Sequence, residues 1–361
     1  MRFAWLAVLA LGGACYDPSF EVGLPCSPSG DCPSGQVCAA DRTCQLSNDA
    51  FDGAPAGDGG APDAMTPPVE SWLLSFQHPA VARANDVAAV AGGFALVGST
   101  VVIVLDPLGE VRWQRDLGVY AGAVAGVEGG MVVVGTESSH VSAVGLDHDG
   151  AVRWQKRYAD QDSSYSWAVV GVPGTADAVI LAHSTSAADL DSAWLLRVDG
   201  DGEIVWQRRF TLATGVLPFG GVATADGGVV VTGVIDGATL EERDLFALKV
   251  DAGGDLRWQK RVSGGDNEWG ESAGRGVAGE VWLVGGTWSG SFGAADVWLL
   301  RLDENNGALE SQHRIGGAGQ DNGMNVFPVA ATGALVVGST ATAGNEDIFV
   351  VETKNDAISA Q

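Results

Sequence analysis

The chain has 361 residues, is 46% hydrophobic and 18% charged, contains 52 glycines, and carries a net charge of −25 from 45 acidic against 20 basic residues. The apolar fraction and glycine content exclude a disordered acidic polymer and suit many short strands joined by tight turns. The charge repels phosphate backbones and anionic lipid surfaces, which excludes nucleic acid as a partner and leaves cation binding or simple colloidal stability as its use.

Residues 1–14 read as a signal peptide: Arg2, an apolar run from Phe3 to Leu11, then small residues, too short to span a bilayer as a mature helix. MRFAWLAVLALGGAC resembles a bacterial lipoprotein signal, which implies cleavage before Cys15, its lipidation, and residues 15–25 as an anchor segment. The usual leucine three places before the cysteine is replaced here by Gly12, with Leu11 one place further back. Ordinary cleavage leaving an odd thiol is the alternative.

The other four cysteines, Cys26, Cys32, Cys38 and Cys44, are evenly spaced in CSPSGDCPSGQVCAADRTC. An even set in an exported chain predicts two disulfides within a mini-module over 26–44, and spacing does not choose among the pairings. A zinc site is the alternative, although zinc ribbons use tighter cysteine pairs. The segment is similar to the small cysteine-rich modules near the N-termini of bacterial surface lipoproteins. Residues 45–70 follow, rich in Gly, Ala, Pro and Asp and without Lys or Arg. They cannot bury enough apolar surface to offset their ordering entropy, so they read as a disordered linker spanning about 25–30 Å.

Residues 71–361 repeat one sentence. VVIVLDPLGEVRWQRDL, VSAVGLDHDGAVRWQKRY, SAWLLRVDGDGEIVWQRRF and DLFALKVDAGGDLRWQKRV align, DVWLLRLDENNGALESQHRI has lost the tryptophan, and DIFVVETKNDAIS stops short. Each is preceded by a glycine-led apolar run and, before that, a third apolar stretch, which predicts strands A, B, C and D in every unit. The aspartates Asp106, Asp147, Asp199, Asp251 and Asp303 each precede a glycine by no more than four residues, as a C-to-D hairpin turn requires. DGDG at 199–202 looks like half a calcium loop. Such loops also need a distant bidentate glutamate, so the stretch reads as a turn and no metal site is expected.

In strand D the period of two places Ile204, Trp206 and Phe210 on one face. Half of the basic residues fall in strands of this type, marking them as charged outer edges that discourage edge-to-edge pairing. Six units of about 48 residues have the span of propeller blades. The expected fold is all-β: a six-bladed β-propeller of four-stranded antiparallel blades. The short last unit implies closure by an N-terminal strand, residues 70–76 with Trp72, joining the last blade.

The pattern D-[LVI]-[FW]-x-x-[KR]-[LV]-D-x-x-G…W-x-[KR], followed by GGDNEWG or GGAGQDNG, resembles the β-propeller repeats of secreted bacterial proteins. It is more distantly similar to PQQ-type propellers and to the outer-membrane assembly lipoprotein built on them. The resemblance implies a fold and no particular reaction.

The face bearing the A–B and C–D turns has tight glycine turns, whereas the D–A and B–C loops are long and variable. Extra length in the B–C loops of the later units predicts four tall blades and two low ones, forming a notched acidic binding face. Its candidate contacts are Asp162, Trp167, Asp266, Trp269, Trp288 and Asp321; the three aspartates could instead hold inter-blade turns through local amides. His78, His140, His148, His183 and His313 occupy unrelated positions and read as incidental surface residues. No nucleophile elbow, HExxH or phosphate cradle is present, so no catalytic residue and no cofactor is expected. The reading is a lipid-anchored envelope or outer-membrane protein, monomeric, binding an envelope protein or extracellular ligand through its loop face. A quinone-dependent dehydrogenase, a hydrolase, or a purely structural envelope protein are the alternatives.

Overall fold

The computed structural model describes residues 36–38, 44–46, 84–159, 163–185, 191–211, 215–236, 242–329, 333–342, 345–354 and 357–360. The chain divides into two compact units, residues 1–69 and 70–361. In the first, β1 (Gln36–Cys38) and β2 (Cys44–Leu46) form an antiparallel hairpin in which Cys38 and Cys44 are opposed Cα partners. Cys15, Cys26 and Cys32, the signal and anchor segments, and the linker beyond Leu46 lie outside the described residues.

Among the described residues, the second unit is six sheets of four antiparallel strands, each joined in sequence order. Blade 1 is β3 (Asp86–Val90), β4 (Gly93–Gly98), β5 (Val101–Leu105) and β6 (Val111–Asp116). Blade 2 is β7 (Ala123–Val127), β8 (Gly130–Glu137), β9 (His140–Asp147) and β10 (Val152–Tyr158). Blade 3 is β11 (Ser163–Gly171), β12 (Ala178–Thr185), β13 (Asp191–Val198) and β14 (Ile204–Thr211). Blade 4 is β15 (Val216–Ala223), β16 (Val229–Ile235), β17 (Asp244–Val250) and β18 (Leu256–Val262). Blade 5 is β19 (Glu268–Arg275), β20 (Glu280–Thr287), β21 (Asp296–Asp303) and β22 (Leu309–Ile315). Blade 6 is β23 (Gln320–Pro328), β24 (Ala334–Thr342), β25 (Asn345–Lys354) and β26 (Ala357–Ala360). The first strands pack on one another in succession from β3 to β23; among the described residues no packing of similar extent joins β23 to β3.

The core lies between blades. Ile180, Trp194 and Leu196 of blade 3 pack with Val132, Val141 and Ala143 of blade 2. Their neighbours Leu181 and Leu195 point the other way, onto Val229, Val231 and Phe246 of blade 4. Strands buried on both faces read as continuous apolar runs, which is why VVVTGVI and EVWLVGGT show no alternation. The fourth strands are exposed and charged, as expected of outer edges.

The repeated aspartate, glycine and tryptophan form an inter-blade latch. Asp199 Oδ1 accepts the amides of Asp201 and Glu203, so the DGDG stretch is a turn tied to its own backbone. Gly202 sits at φ 74° in the left-handed region. The indole of Trp154, from the preceding blade, lies over Gly202 and donates Nε1–H to the Gly200 carbonyl at 2.9 Å. Trp113 does the same to the next turn at His148, Trp206 at Ala252, and Trp258 at Glu304. A Cβ on Gly150, Gly202, Gly254 or Gly307 would fall within 3 Å of the indole it faces. In blade 5 the register places Ser311 where the fourth strands of blades 1 to 4 have tryptophan, and the sequence between Lys354 and Ala357 has no glycine, so both halves of that latch are missing together.

Two expectations are corrected. The sixth blade completes itself: β26 pairs with Val351–Lys354 and supplies the fourth strand assigned above to residues 70–76. Trp72 lies outside the described residues. In β14, Ile204 does not share the buried face with Trp206 and Phe210; it is 43% exposed, because a bulge between Ile204 and Trp206 breaks the period of two.

Candidate functional site

The first strands of the later blades carry an irregularity that shapes the loop-rich face. Register shifts in β11, β15, β19 and β23 leave one unpaired residue each: Trp167, Phe219, Glu271 and Met324. A bulge turns the extra side chain out of the alternating pattern, a usual means of aiming a residue at a site. The pairings of β3 and β7 are regular, and these strands have five residues each where β11 has nine and β19 eight. Part of the added length of the later units thus lies in the innermost strands and not in the B–C loops alone; of the two blades expected to be low, blade 2 is shorter only in β7, since β8 and β9 have eight residues each.

Three of these bulge residues begin a continuous aromatic and polar surface. Trp167, 47% exposed, meets the Phe219 ring edge-on with centroids 5.0 Å apart. On its other side its Nε1–H donates to His183 Nδ1 at 2.7 Å, and the His183 ring stacks on Tyr165 with centroids 5.1 Å apart. An indole nitrogen only donates, so Nδ1 must be unprotonated in this arrangement. Burial pushes the His183 pKa down, opposed in part by the nearby Asp191 carboxylate, so the neutral ring is favoured. His183 is therefore a structural member of the face and not an incidental surface residue.

Phe219 continues into a cavity of about 280 Å³ between blades 4 and 5, also lined by Arg243, Asn267, Trp269, Glu271, Trp288 and Gln320. Trp269 lies across Gly286, where any Cβ would strike the indole; Trp288, in the loop between β20 and β21, is 43% exposed. Burial raises the Glu271 carboxyl above its ordinary range, while a hydrogen bond from the Trp269 side chain works in the opposite direction. Arg243 Nε donates to Asp236 Oδ1 at 2.9 Å, and its backbone amide donates to the Asn267 side chain. The cavity thus joins apolar ring faces to a charged donor, a carboxylate and two amides.

Of the sequence-derived candidates, Trp269 and Trp288 line this cavity and Trp167 adjoins it through Phe219. Asp266 is exposed in the loop before β19, and Asp162 lies outside the described residues. Asp321 is buried and accepts the Gly317 amide at 2.7 Å, which is the turn-holding role. Its counterpart in the preceding repeat is Glu268, fully buried, which accepts the Gly264 amide at 2.7 Å and the hydroxyls of Thr287 and Ser289. That shared role explains the likeness of GGDNEWG and GGAGQDNG. Sequence reasoning missed Phe219, Glu271, Arg243 and His183. A signal for two of them existed: Trp167, Phe219 and Glu271 recur at the 52-residue interval of the fourth-strand tryptophans Trp154, Trp206 and Trp258.

No family model and no curated protein matches the chain. Among solved structures, a protein of unknown function from Bacteroides caccae is 15% identical, covering 73% of this chain and 90% of its own, with a TM-score of 0.47. BamB from Moraxella catarrhalis is 14% identical over 76% of this chain and 81% of its own, with a TM-score of 0.42. A quinohemoprotein alcohol dehydrogenase from Pseudomonas putida is 11% identical over 74% of this chain and 56% of its own, with a TM-score of 0.45. Likenesses of this strength assign neither family nor activity. The six-bladed arrangement rests on this chain's own strand pairing.

Proposed function

We propose that this chain is an exported, lipid-anchored cell-envelope protein whose propeller binds a partner or extracellular ligand without transforming it. The observation that carries this reading is the convergence of repeat-related bulge residues from successive blades, together with Trp269 and Trp288, on one exposed aromatic cavity. Large rings at such a surface, with a few polar groups to fix orientation, are the composition of a binding site. A hydrolase working by paired carboxylates needs two of them flanking the scissile bond, whereas Glu271 is the one carboxylate among the described residues lining the cavity. The anchor is supported by the Cys15 context and the even count of remaining cysteines.

Affinity capture from envelope extracts with the wild-type chain and with Trp288→Ala, followed by mass spectrometry, tests the binding reading. A partner recovered with the first and lost with the second is the expected result. Identical recovery from both would remove the cavity from the function. Mass analysis of the mature N-terminus tests the anchor: an acylated Cys15 is expected, and an unmodified Cys15 or a cleavage site elsewhere refutes it.

A further inference from the structure

We infer that the cavity between blades 4 and 5 is a saccharide subsite, in which one or two uncharged sugar rings lie against Trp269, Trp288 and Phe219 and are fixed by Arg243, Asn267, Glu271 and Gln320. This deepens the binding reading above and rests on it. At about 280 Å³ the cavity falls just below the roughly 300–1,000 Å³ of sites for drug-sized ligands, which suits a one- or two-ring molecule and not a peptide segment.

Charge comes next. A cationic ligand would meet the guanidinium of Arg243, and an anionic one would meet the carboxylate of Glu271, since both line the same small space. An uncharged ligand meets neither objection. It must nevertheless satisfy a mixed set of polar groups: Arg243 only donates, an ionised Glu271 only accepts, and Asn267 and Gln320 do both. A hydroxyl donates and accepts at once, so a polyhydroxylated ring can satisfy all four without leaving a buried polar group unmatched.

The aromatic residues address the rest of the ligand. The faces of indole and phenyl rings carry negative quadrupole density, and the polarised C–H bonds on one face of a pyranose sit favourably against them. Trp269 is held rigidly for this purpose, because its ring lies across Gly286, where no side chain could be accommodated. Arg243 is likewise preset by the hydrogen bond from its Nε to Asp236. Preset groups reduce the entropy lost on binding. Burial raises the Glu271 carboxyl above its ordinary range, which marks a partly dehydrated position where hydrogen bonds to hydroxyls compete less with water. The second depression of similar size, about 260 Å³ on the opposite face near Val90, Val127 and Pro173, lacks both the aromatic rings and the polar set.

The test is calorimetric titration of the full chain in mild detergent with cellobiose, maltose, mannobiose and N,N′-diacetylchitobiose, with choline as the cationic control. Tryptophan emission is followed in parallel. Binding of at least one disaccharide with a shift in emission is expected, weakened about tenfold or more in Trp288→Ala, which corresponds to about 1.4 kcal/mol. Because Trp269 is packed against Gly286, Trp269→Phe is the safer partner variant; it keeps a ring and should weaken binding less than Trp288→Ala while leaving the thermal midpoint near that of the wild type. Failure of all four sugars overturns the inference, as does choline binding that is abolished by Glu271→Gln. Should the sugars fail while Trp288→Ala still loses its captured partner, the ligand class is wrong and the binding face stands. Should capture also be unchanged, both fall.

Discussion

His183 and Glu271 show how burial sets the protonation of single residues on this face. His183 accepts the Trp167 indole through Nδ1, and burial lowers its pKa. Its contribution to stability is therefore complete above the ordinary histidine value of about 6.5 and is lost as pH falls through the lowered folded-state value. Acid titration of tryptophan fluorescence should reveal a transition below that ordinary value, as a protonated Nδ1 can no longer accept; His183→Phe should abolish it. Persistence of the transition in His183→Phe would assign it to another group. Glu271 runs in the opposite sense. Its folded-state pKa is raised, so its contribution is complete below the ordinary glutamate value and is lost as pH rises through the folded value. Glu271→Gln should accordingly raise the thermal midpoint near pH 7 and change it little near pH 4, measured by calorimetry at both. A gain that is equal at the two values would mean that ionisation is not what burial penalises there.

At the scale of the element, the unit of stability is the latch between one fourth strand and the next turn. Gly254→Ala places a Cβ 2.7 Å from the Trp206 ring, at a backbone φ of 81° that alanine adopts poorly. A cost of about 2–4 kcal/mol in denaturant unfolding is expected from strain and overpacking together. Trp206→Phe keeps a ring in the socket but removes the hydrogen bond to Ala252 and part of the indole's packing, so about 1–2 kcal/mol is expected, against about 3–5 kcal/mol for Trp206→Ala. If the phenylalanine and alanine variants lost the same amount, the hydrogen bond and not the packed ring would carry the latch. The absence of both tryptophan and glycine at the junction of blades 5 and 6 fits this coupling, since either half alone would leave an unfilled socket or an unplaced indole.

At the scale of the molecule, four blades with long, bulged innermost strands adjoin two whose innermost strands are short and regular, so the loop face is asymmetric from blade to blade. The sixth blade supplies its own outer strand, and β26 pairs with β25 from Ala357 to Ala360. Deleting residues 355–361 should lower the melting temperature, by about 2–4 °C for each kcal/mol lost. It should also expose β25 to limited proteolysis. A truncated chain with unchanged melting and digestion would return the outer position to residues 70–76. Most of this scale was legible beforehand: unit number, strand order, exposed outer strands and the variable face all follow from repeated Asp, Gly and Trp. Ile204 was misplaced for the same reason that Phe219 and Glu271 were overlooked. A single extra residue shifts the phase of alternation, and nothing in one strand announces the shift until its partner is known.

The amino-acid sequence by itself determined the repeating sheet, because apolar runs, Asp–Gly turns and tryptophan spacing act over a few residues and recur in every unit. It also determined that the turns after Asp199 and its counterparts are turns, since the same chemistry holds where the intervening side chains change. Only the tertiary structure decided which side chains meet. Packing of one blade on the next brings Trp167, Phe219 and Glu271 around the circle into neighbouring places, although each lies 52 residues from the next in the chain. Contacts of that kind depend on where bulges fall and how sheets stack, and both are set by the partner strand and the adjacent blade.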